Sequence, residues 1–238
     1  MTKFNFISYK KILEKKDFLP FYVYDYSLLK RQIVKLKRNL PKNIRVFYVI
    51  KTNPNIAILK AIKKFNLGVV AVSLGELMIA KKAGFKSSDV FFAGSIKSDR
   101  EISEALKDNI GLFGLESLSE VQRMDKMTKK MDKKSKVMLR FDVSNFDPRE
   151  RNINKVFPAN NFGISLRDIE KMIPLFSKDF LNLDLKGIHI YNGTRIYDVD
   201  ILIRYIRGVF LVIKRLESNF KLDFEKICIG GGFGSNVK

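Results

Sequence analysis

The chain has 238 residues, with 45 Lys and Arg against 25 Asp and Glu, one Cys, no Trp and 46% hydrophobic residues. This composition is typical of a soluble globular protein and excludes disordered, collagen-like and disulfide-stapled chains. Length alone allows two small domains or a single α/β barrel.

Segments that would direct the chain out of the cytoplasm are not evident. The apolar runs 46–50 and 209–213 are far shorter than the roughly 18 residues that a membrane span requires. The N-terminus lacks the continuous apolar segment of a secretory signal. Cys228 cannot form an internal disulfide, and one His with one Cys cannot build a metal site. We therefore expect a cytoplasmic protein with no membrane partner and no metal.

The formal net charge of +20 has two interpretations. A strongly basic chain can bind a polyanion such as nucleic acid, or it can simply carry a lysine-rich, solvated surface. No RNP-type, zinc-finger or helix-turn-helix signature accompanies the charge. Nucleic acid is therefore not the expected partner, although a basic nucleic-acid-binding module stays open as an alternative.

Apolar runs of strand type alternate along the chain with segments of helical period. The helical segments show buried stripes, as at Leu29, Ile33, Leu36 and Leu40, and Ser165 with Asp168 forms a capping-box variant. Strands are predicted at 21–23, 45–50, 69–72, 90–93, 110–113, 137–142, 185–190 and 226–229. This alternation predicts a parallel sheet, either doubly wound or closed as a barrel, with seven strands from Arg45 onward. In a barrel, the reactive groups follow the carboxyl ends of the strands.

Lys51 stands at such a position, directly after the apolar run 46–50. Partial desolvation at a strand end favours the neutral amine, which is the form that attacks a carbonyl to make a Schiff base. The alternative is a strand-end lysine that reaches solvent, as most lysines do.

The glycine run 230–234 follows the last predicted strand. Consecutive glycines let backbone N–H groups surround a phosphate, and the loop after strand seven is a common phosphate site in barrels. A tight turn also needs glycine, so the run alone leaves both interpretations open.

His189 is the only histidine and ends the predicted strand 185–190. A lone histidine on a strand is often a packed, hydrogen-bonded residue. Here Gly193 and Thr194 follow closely, so that the imidazole could stack on a planar cofactor while Thr194 donates to its phosphate.

A series of motifs in order resembles the pyridoxal-phosphate decarboxylases of the ornithine, diaminopimelate and arginine group. The match is colinear over nearly the whole chain. The motifs are 20–25, 48–53, 72–77, 92–97, 115–117, 139–140, 162–164, His189 with 193–194, and 230–234.

The resemblance implies an α/β fold of the alanine-racemase type, a (β/α)8 barrel that binds pyridoxal 5'-phosphate and is normally followed by a β-rich domain. Residues 1–25 are then an N-terminal segment with a strand that belongs to the β-rich domain. Residues 26–238 are the barrel, which ends after strand seven. The implied activity is decarboxylation of an amino acid, either one like diaminopimelate, ornithine or arginine or a carrier-linked one. The chain would act as a fragment or one half of the full enzyme, with a homodimer or a complementing C-terminal half as partner.

The same resemblance assigns roles to particular residues. Lys51 would bond covalently to the cofactor, His189 would stack on its ring and Arg140 would lie near the ring. The implied cofactor-binding set is Lys51, Arg140, His189, Gly193, Thr194, Gly231 and Gly232.

The sequence also departs from the family pattern. The acidic partner of the pyridine nitrogen and the substrate-binding residues of the second domain are absent, and Val70 stands where the family usually shows Asp. Cys228 is best interpreted as a small buried apolar residue. A non-catalytic pyridoxal-phosphate-binding protein of cofactor homeostasis therefore stays open as a second alternative.

Overall fold

The computed structural model describes residue 14 and residues 22–142, 162–191 and 196–234. The chain separates into two compact units, Met1–Ile44 and Arg45–Lys238. Within the described part, no helix is both long and apolar enough to cross a membrane.

The described part of the first unit contains helix α1, Tyr26–Arg38. Asp25 caps its N-terminus, because the carboxylate accepts hydrogen bonds from the backbone N–H groups of Ser27 and Leu28. The strand predicted at 21–23 does not form in this part: residues 22–25 have no strand pairing and are exposed, and Phe21 lies outside the described residues. A short apolar run needs a partner strand to become one.

The second unit consists of strands that alternate with helices. The strands are β1 Phe47–Val49, β2 Gly68–Ala71, β3 Val90–Phe92, β4 Leu112–Leu115, β5 Ser135–Phe141, β6 Leu183–Ile190 and β7 Lys226–Ile229. The helices are α2 Ile56–Lys63, α3 Leu74–Lys82, α4 Asp99–Lys107, α5 Leu118–Lys130, α6 Leu166–Met172, α7 Leu175–Lys178 and α8 Val199–Phe220, with short 3-10 helices at Ile50–Thr52 and Ser87–Asp89.

The seven described strands form one parallel sheet in the order β1-β2-β3-β4-β5-β6-β7. A doubly wound sheet reverses its strand order at a switch point, whereas a barrel adds each strand beside the one before it. The strictly sequential order is therefore that of a curled, partly built barrel. The predicted barrel architecture is confirmed.

Serine side chains start four of the described helices that follow strands. In each, the hydroxyl accepts a hydrogen bond from the backbone N–H three residues on, and that residue is acidic. The capping serines are Ser73, Ser98, Ser117 and Ser165. The predicted cap at Ser165 is confirmed, and the same device fixes where the polypeptide turns from strand to helix at three further places.

An apolar cluster fills the inner face of the sheet. Its buried members are Phe91, Ala93 and Met138, and partly buried side chains from other strands pack against them, among them Val70 and Cys228. Burial raises the pKa of the Cys228 thiol to about 11, so this cysteine stays protonated.

A bulge between β5 and β6 sets the pairing register of these two strands toward their carboxyl ends. Val137 pairs with Leu185, but Met138 pairs with Gly187, so that one extra residue is inserted in β6. Gly187 also comes so close to β7 that a Cβ there would lie 1.7 Å from the carbonyl oxygen of Lys226. Beyond the bulge, Arg140 and His189 face each other as register partners.

Candidate functional site

Arg140 and His189 lie on neighbouring strands near the carboxyl ends of β5 and β6. Both are buried, with 7% and 8% of their surfaces exposed. Since the strands are parallel, this pair lies at the same edge of the sheet as the loops that follow β1 and β7. The structure thus brings together two of the predicted site residues.

Arg140 is held by an ion pair with Glu116, which directly follows β4. A guanidinium nitrogen of Arg140 donates to Glu116 Oε1 at 2.7 Å and to Ser95 Oγ at 3.3 Å. The two charged side chains are each only 8% exposed. The guanidinium carbon also lies 5.1 Å from the ring centre of Phe162 and 5.7 Å from that of Tyr191. A charge buried in this way is stable only with such a partner.

Glu116 and Ser95 contact Arg140 in the candidate site, although the sequence assigned neither residue to it. Both lie within the quoted motifs, but neither has a role there. The usable signal is that each polar residue follows shortly after a buried strand of a predicted barrel.

His189 is neutral in this environment. Burial, together with the positive charges of Arg140 and Lys97, lowers the pKa of its imidazole from 6.5 to about 3. Its ring meets the edge of Phe91, with ring centres 5.2 Å apart. Its Nδ1 is buried and has no hydrogen-bond partner among the described residues. An uncharged imidazole with a spare polar atom is suited to contact a flat ligand.

Lys51 lies in the 3-10 helix Ile50–Thr52, which directly follows β1. Ile50 is fully buried and anchors this turn, whereas the Lys51 side chain is exposed. The partial desolvation expected at the strand end is therefore wrong, because the turn carries the lysine past the apolar end of the sheet. Among the described residues, no hydrogen bond or ion pair joins Lys51 to Arg140 or His189.

The loop after β7 is shaped by its glycines. The Gly230 N–H donates to Ile190 O at 2.7 Å, and the Gly232 carbonyl accepts from Ile196 N at 2.9 Å. A Cβ on Gly231 would meet no atom within 4 Å, and Gly232 has a φ of +96° that disfavours other residues. Within the described residues, the N–H groups of Gly231 and Gly232 have no acceptor. This loop therefore offers an anion open space and two backbone donors that have no acceptor among the described residues.

Gly193 and Thr194, the other predicted phosphate ligands, lie outside the described residues. In the part of the chain that the structure describes, His, Cys, Asp and Glu side chains form no group of three or more that could hold a metal ion.

The chain matches a known family model over most of its length. Residues 26–238 match the model described as "Pyridoxal-dependent decarboxylase, pyridoxal binding domain".

Two curated relatives illustrate the range of similar proteins. The diaminopimelate decarboxylase of Campylobacter jejuni is 27% identical over 230 residues, which cover 96% of this chain and 56% of the relative. The L-glutamyl-[BtrI acyl-carrier protein] decarboxylase of Niallia circulans is 26% identical over 226 residues, which cover 93% of this chain and 51% of the relative. The chain spans about half the length of the curated relatives it matches.

A solved structure has the same fold. The diaminopimelate decarboxylase of Helicobacter pylori, complexed with L-lysine, superimposes with a TM-score of 0.80 at 26% identity. The match covers 97% of this chain and 59% of that one.

Proposed function

Because the chain belongs to the pyridoxal-dependent decarboxylase family, we propose that it is the cofactor-binding part of an enzyme that removes CO₂ from an amino acid. The observation that carries the proposal is the buried pair of Arg140 and His189 at the sheet edge that the glycine loop 230–234 also borders.

The residues of this edge fit pyridoxal phosphate, the cofactor of the family. The N–H groups of Gly231 and Gly232, which have no acceptor in the described part of the chain, suit a phosphate, and the open space at Gly231 leaves room for it. The neutral imidazole of His189, with its unpartnered Nδ1, suits an aromatic ring.

Each residue then has a distinct task. Gly231 and Gly232 would bind the phosphate, together with Gly193 and Thr194 by the family pattern. His189 would contact the ring and orient it. Arg140 would supply a fixed positive charge near the ring, since Glu116 holds its guanidinium in place.

Lys51 would supply the amine that holds the cofactor covalently. Its exposed position leaves the amine accessible, and its neutral form is the nucleophile. When bound, pyridoxal phosphate supplies the electron sink for the electron pair that CO₂ leaves behind.

For the substrate we favour diaminopimelate, because relatives named for it are 27% and 30% identical to this chain, against 26% for the carrier-linked relative. A carrier-linked amino acid is the second candidate, since the spaced form 189–194 resembles branches with such substrates and one relative acts on a carrier-linked group.

Residues 26–238 would form the barrel domain, and residues 1–25 would contribute a strand to a β-rich domain. We also propose that the protein works in the cytoplasm. The substrate contacts would come from a complementing C-terminal half or from a homodimer partner.

Borohydride trapping tests the cofactor assignment. The chain is incubated with pyridoxal phosphate, reduced and digested, and the pyridoxyl group is located by mass spectrometry. We expect it on Lys51, with the matched variant Lys51→Ala unlabelled. Labelling scattered over many lysines and unchanged by Lys51→Ala would contradict the proposal.

The release of CO₂ tests the reaction. Diaminopimelate, ornithine, lysine and arginine are supplied to the chain with pyridoxal phosphate, first alone and then with the C-terminal half of a relative. We expect release only after that addition, because positioning of the substrate needs the second half. Nucleic-acid binding with no visible-band absorbance would instead favour the basic binding module.

A further inference from the structure

A second buried ion pair, between Lys97 and Glu120, is linked to Arg140 through Glu116. Lys97 Nζ is 2.8 Å from Glu120 Oε1, and the two side chains are 0% and 3% exposed. Removing two charges from water costs free energy that their attraction often fails to recover, so that an apolar pair would stabilise the fold equally well. The contacts of this pair indicate a different role.

Lys97 fixes the loop that carries Ser95. Its Nζ donates to the Gly94 carbonyl at 2.5 Å, and its own carbonyl accepts from Arg123 at 2.9 Å. Both ends of the segment 94–97 are thereby held. Ser95 lies between them and contacts Arg140.

Glu120 fixes the backbone of Glu116. Its Oε2 accepts a hydrogen bond from Glu116 N at 2.7 Å, while its Oε1 faces Lys97. One carboxylate therefore joins the lysine to the residue that pairs with Arg140. An apolar side chain could not make these two contacts.

We propose that Lys97 and Glu120 are positioning residues, which fix Ser95 and Glu116 and thereby hold the Arg140 guanidinium in one orientation. This inference rests on the proposed function, because the orientation of Arg140 matters when a cofactor lies beside it. The two ion pairs form one connected unit that spans the ends of β3, β4 and β5.

The decisive variant is Lys97→Met with Glu120→Leu, which keeps the volume but removes every polar contact of the pair. Replacing a buried ion pair by apolar residues usually preserves folding. The second variant, Glu120→Asp, keeps the charge but is one methylene too short to reach both Lys97 and Glu116. Glu104→Gln is the matched control, since it removes an exposed ion pair, between Glu104 and Lys107 on helix α4, that touches neither Lys97 nor Glu120.

The readout is the rate at which phenylglyoxal modifies Arg140 without cofactor, followed by peptide mass spectrometry. We expect about tenfold faster modification in the double variant and in Glu120→Asp, because one charge-assisted hydrogen bond to Arg140 is loosened. Glu104→Gln should react at the wild-type rate.

Two results would overturn the proposal. One is wild-type protection of Arg140 in a double variant that stays folded by circular dichroism. The other is loss of folding in both variants, which would assign the pair a purely stabilising role. Because this assay contains no cofactor, failure of the wild-type chain to trap pyridoxal phosphate on Lys51 would refute the proposed function separately.

Discussion

Replacing Gly231 by Ala should separate phosphate binding from folding. A Cβ at Gly231 meets no atom within 4 Å, and its φ lies outside the left-handed region. The variant should therefore change the free energy of unfolding by no more than about 1 kcal/mol. If a phosphate accepts the Gly231 N–H, the methyl group intrudes on it and loosens a charge-assisted hydrogen bond worth about 1.5–3 kcal/mol. The dissociation constant should then rise by about tenfold to a hundredfold.

The assay is titration with pyridoxal phosphate, and with pyridoxal as the control ligand that lacks the phosphate. Gly231→Ala should weaken binding of the first and leave binding of the second unchanged. Gly230→Ala is the matched control for folding, because its Cβ would lie 2.8 Å from Ile190 O and from the Tyr191 ring. Wild-type affinity for pyridoxal phosphate in Gly231→Ala would refute the assignment of this loop to phosphate.

Three further predictions concern stability, each measured by urea unfolding. Gly187→Ala should lower the free energy of unfolding by about 3 kcal/mol, since its Cβ would overlap Lys226 O. A loss of less than about 1 kcal/mol would contradict the close approach of β6 and β7 at Gly187. Glu116→Gln should cost about 3–5 kcal/mol, because it leaves the buried Arg140 charge unpaired; an unchanged midpoint would show that Arg140 finds another partner. The pKa of His189 is about 3 in the folded state and 6.5 in the unfolded state. Between pH 3 and pH 6.5 the unfolded state therefore binds one more proton than the folded state. The contribution of His189 to stability is therefore full above pH 6.5 and is lost as the pH falls toward 3. His189→Gln should remove this slope, at most about 1.4 kcal/mol per pH unit, and an unaltered slope would refute the burial argument.

The strand pattern predicted the fold well because buried parallel strands are continuous apolar runs. The bounds of β7 are confirmed at 226–229, but the strand predicted at 110–113 is observed at 112–115. Ile110 is apolar, yet its N–H bonds to Ala105 O and closes the end of α4. Glycine usually weakens a strand, yet Gly114 lies within β4. The Phe91 ring occupies the space that a side chain at position 114 would otherwise fill.

The sequence predicted where the candidate site lies, but not the partners and exposure of its side chains. Strand-end placement locates Arg140 and His189, and the structure makes them neighbours. The partner of Arg140 could not be derived, because Glu116 lies 24 residues away and no local spacing links the two. The exposure of Lys51 depends on one 3-10 turn, which strand periodicity does not reveal. Its role in the reaction stays a prediction.

The sequential strand order has a consequence for synthesis of the chain. Register partners in the first strands, such as Phe47 with Gly68 and Val69 with Val90, are 21 positions apart, whereas Arg140 and His189 are 49 apart. The longer closure adds only about 0.7 kcal/mol of chain entropy, so it is no thermodynamic obstacle. It does mean that a nascent chain emerging from the ribosome can pair its first strands well before His189 has been translated. Translation therefore supplies strands β1 to β5 first, and Arg140 meets His189 only once β6 has emerged.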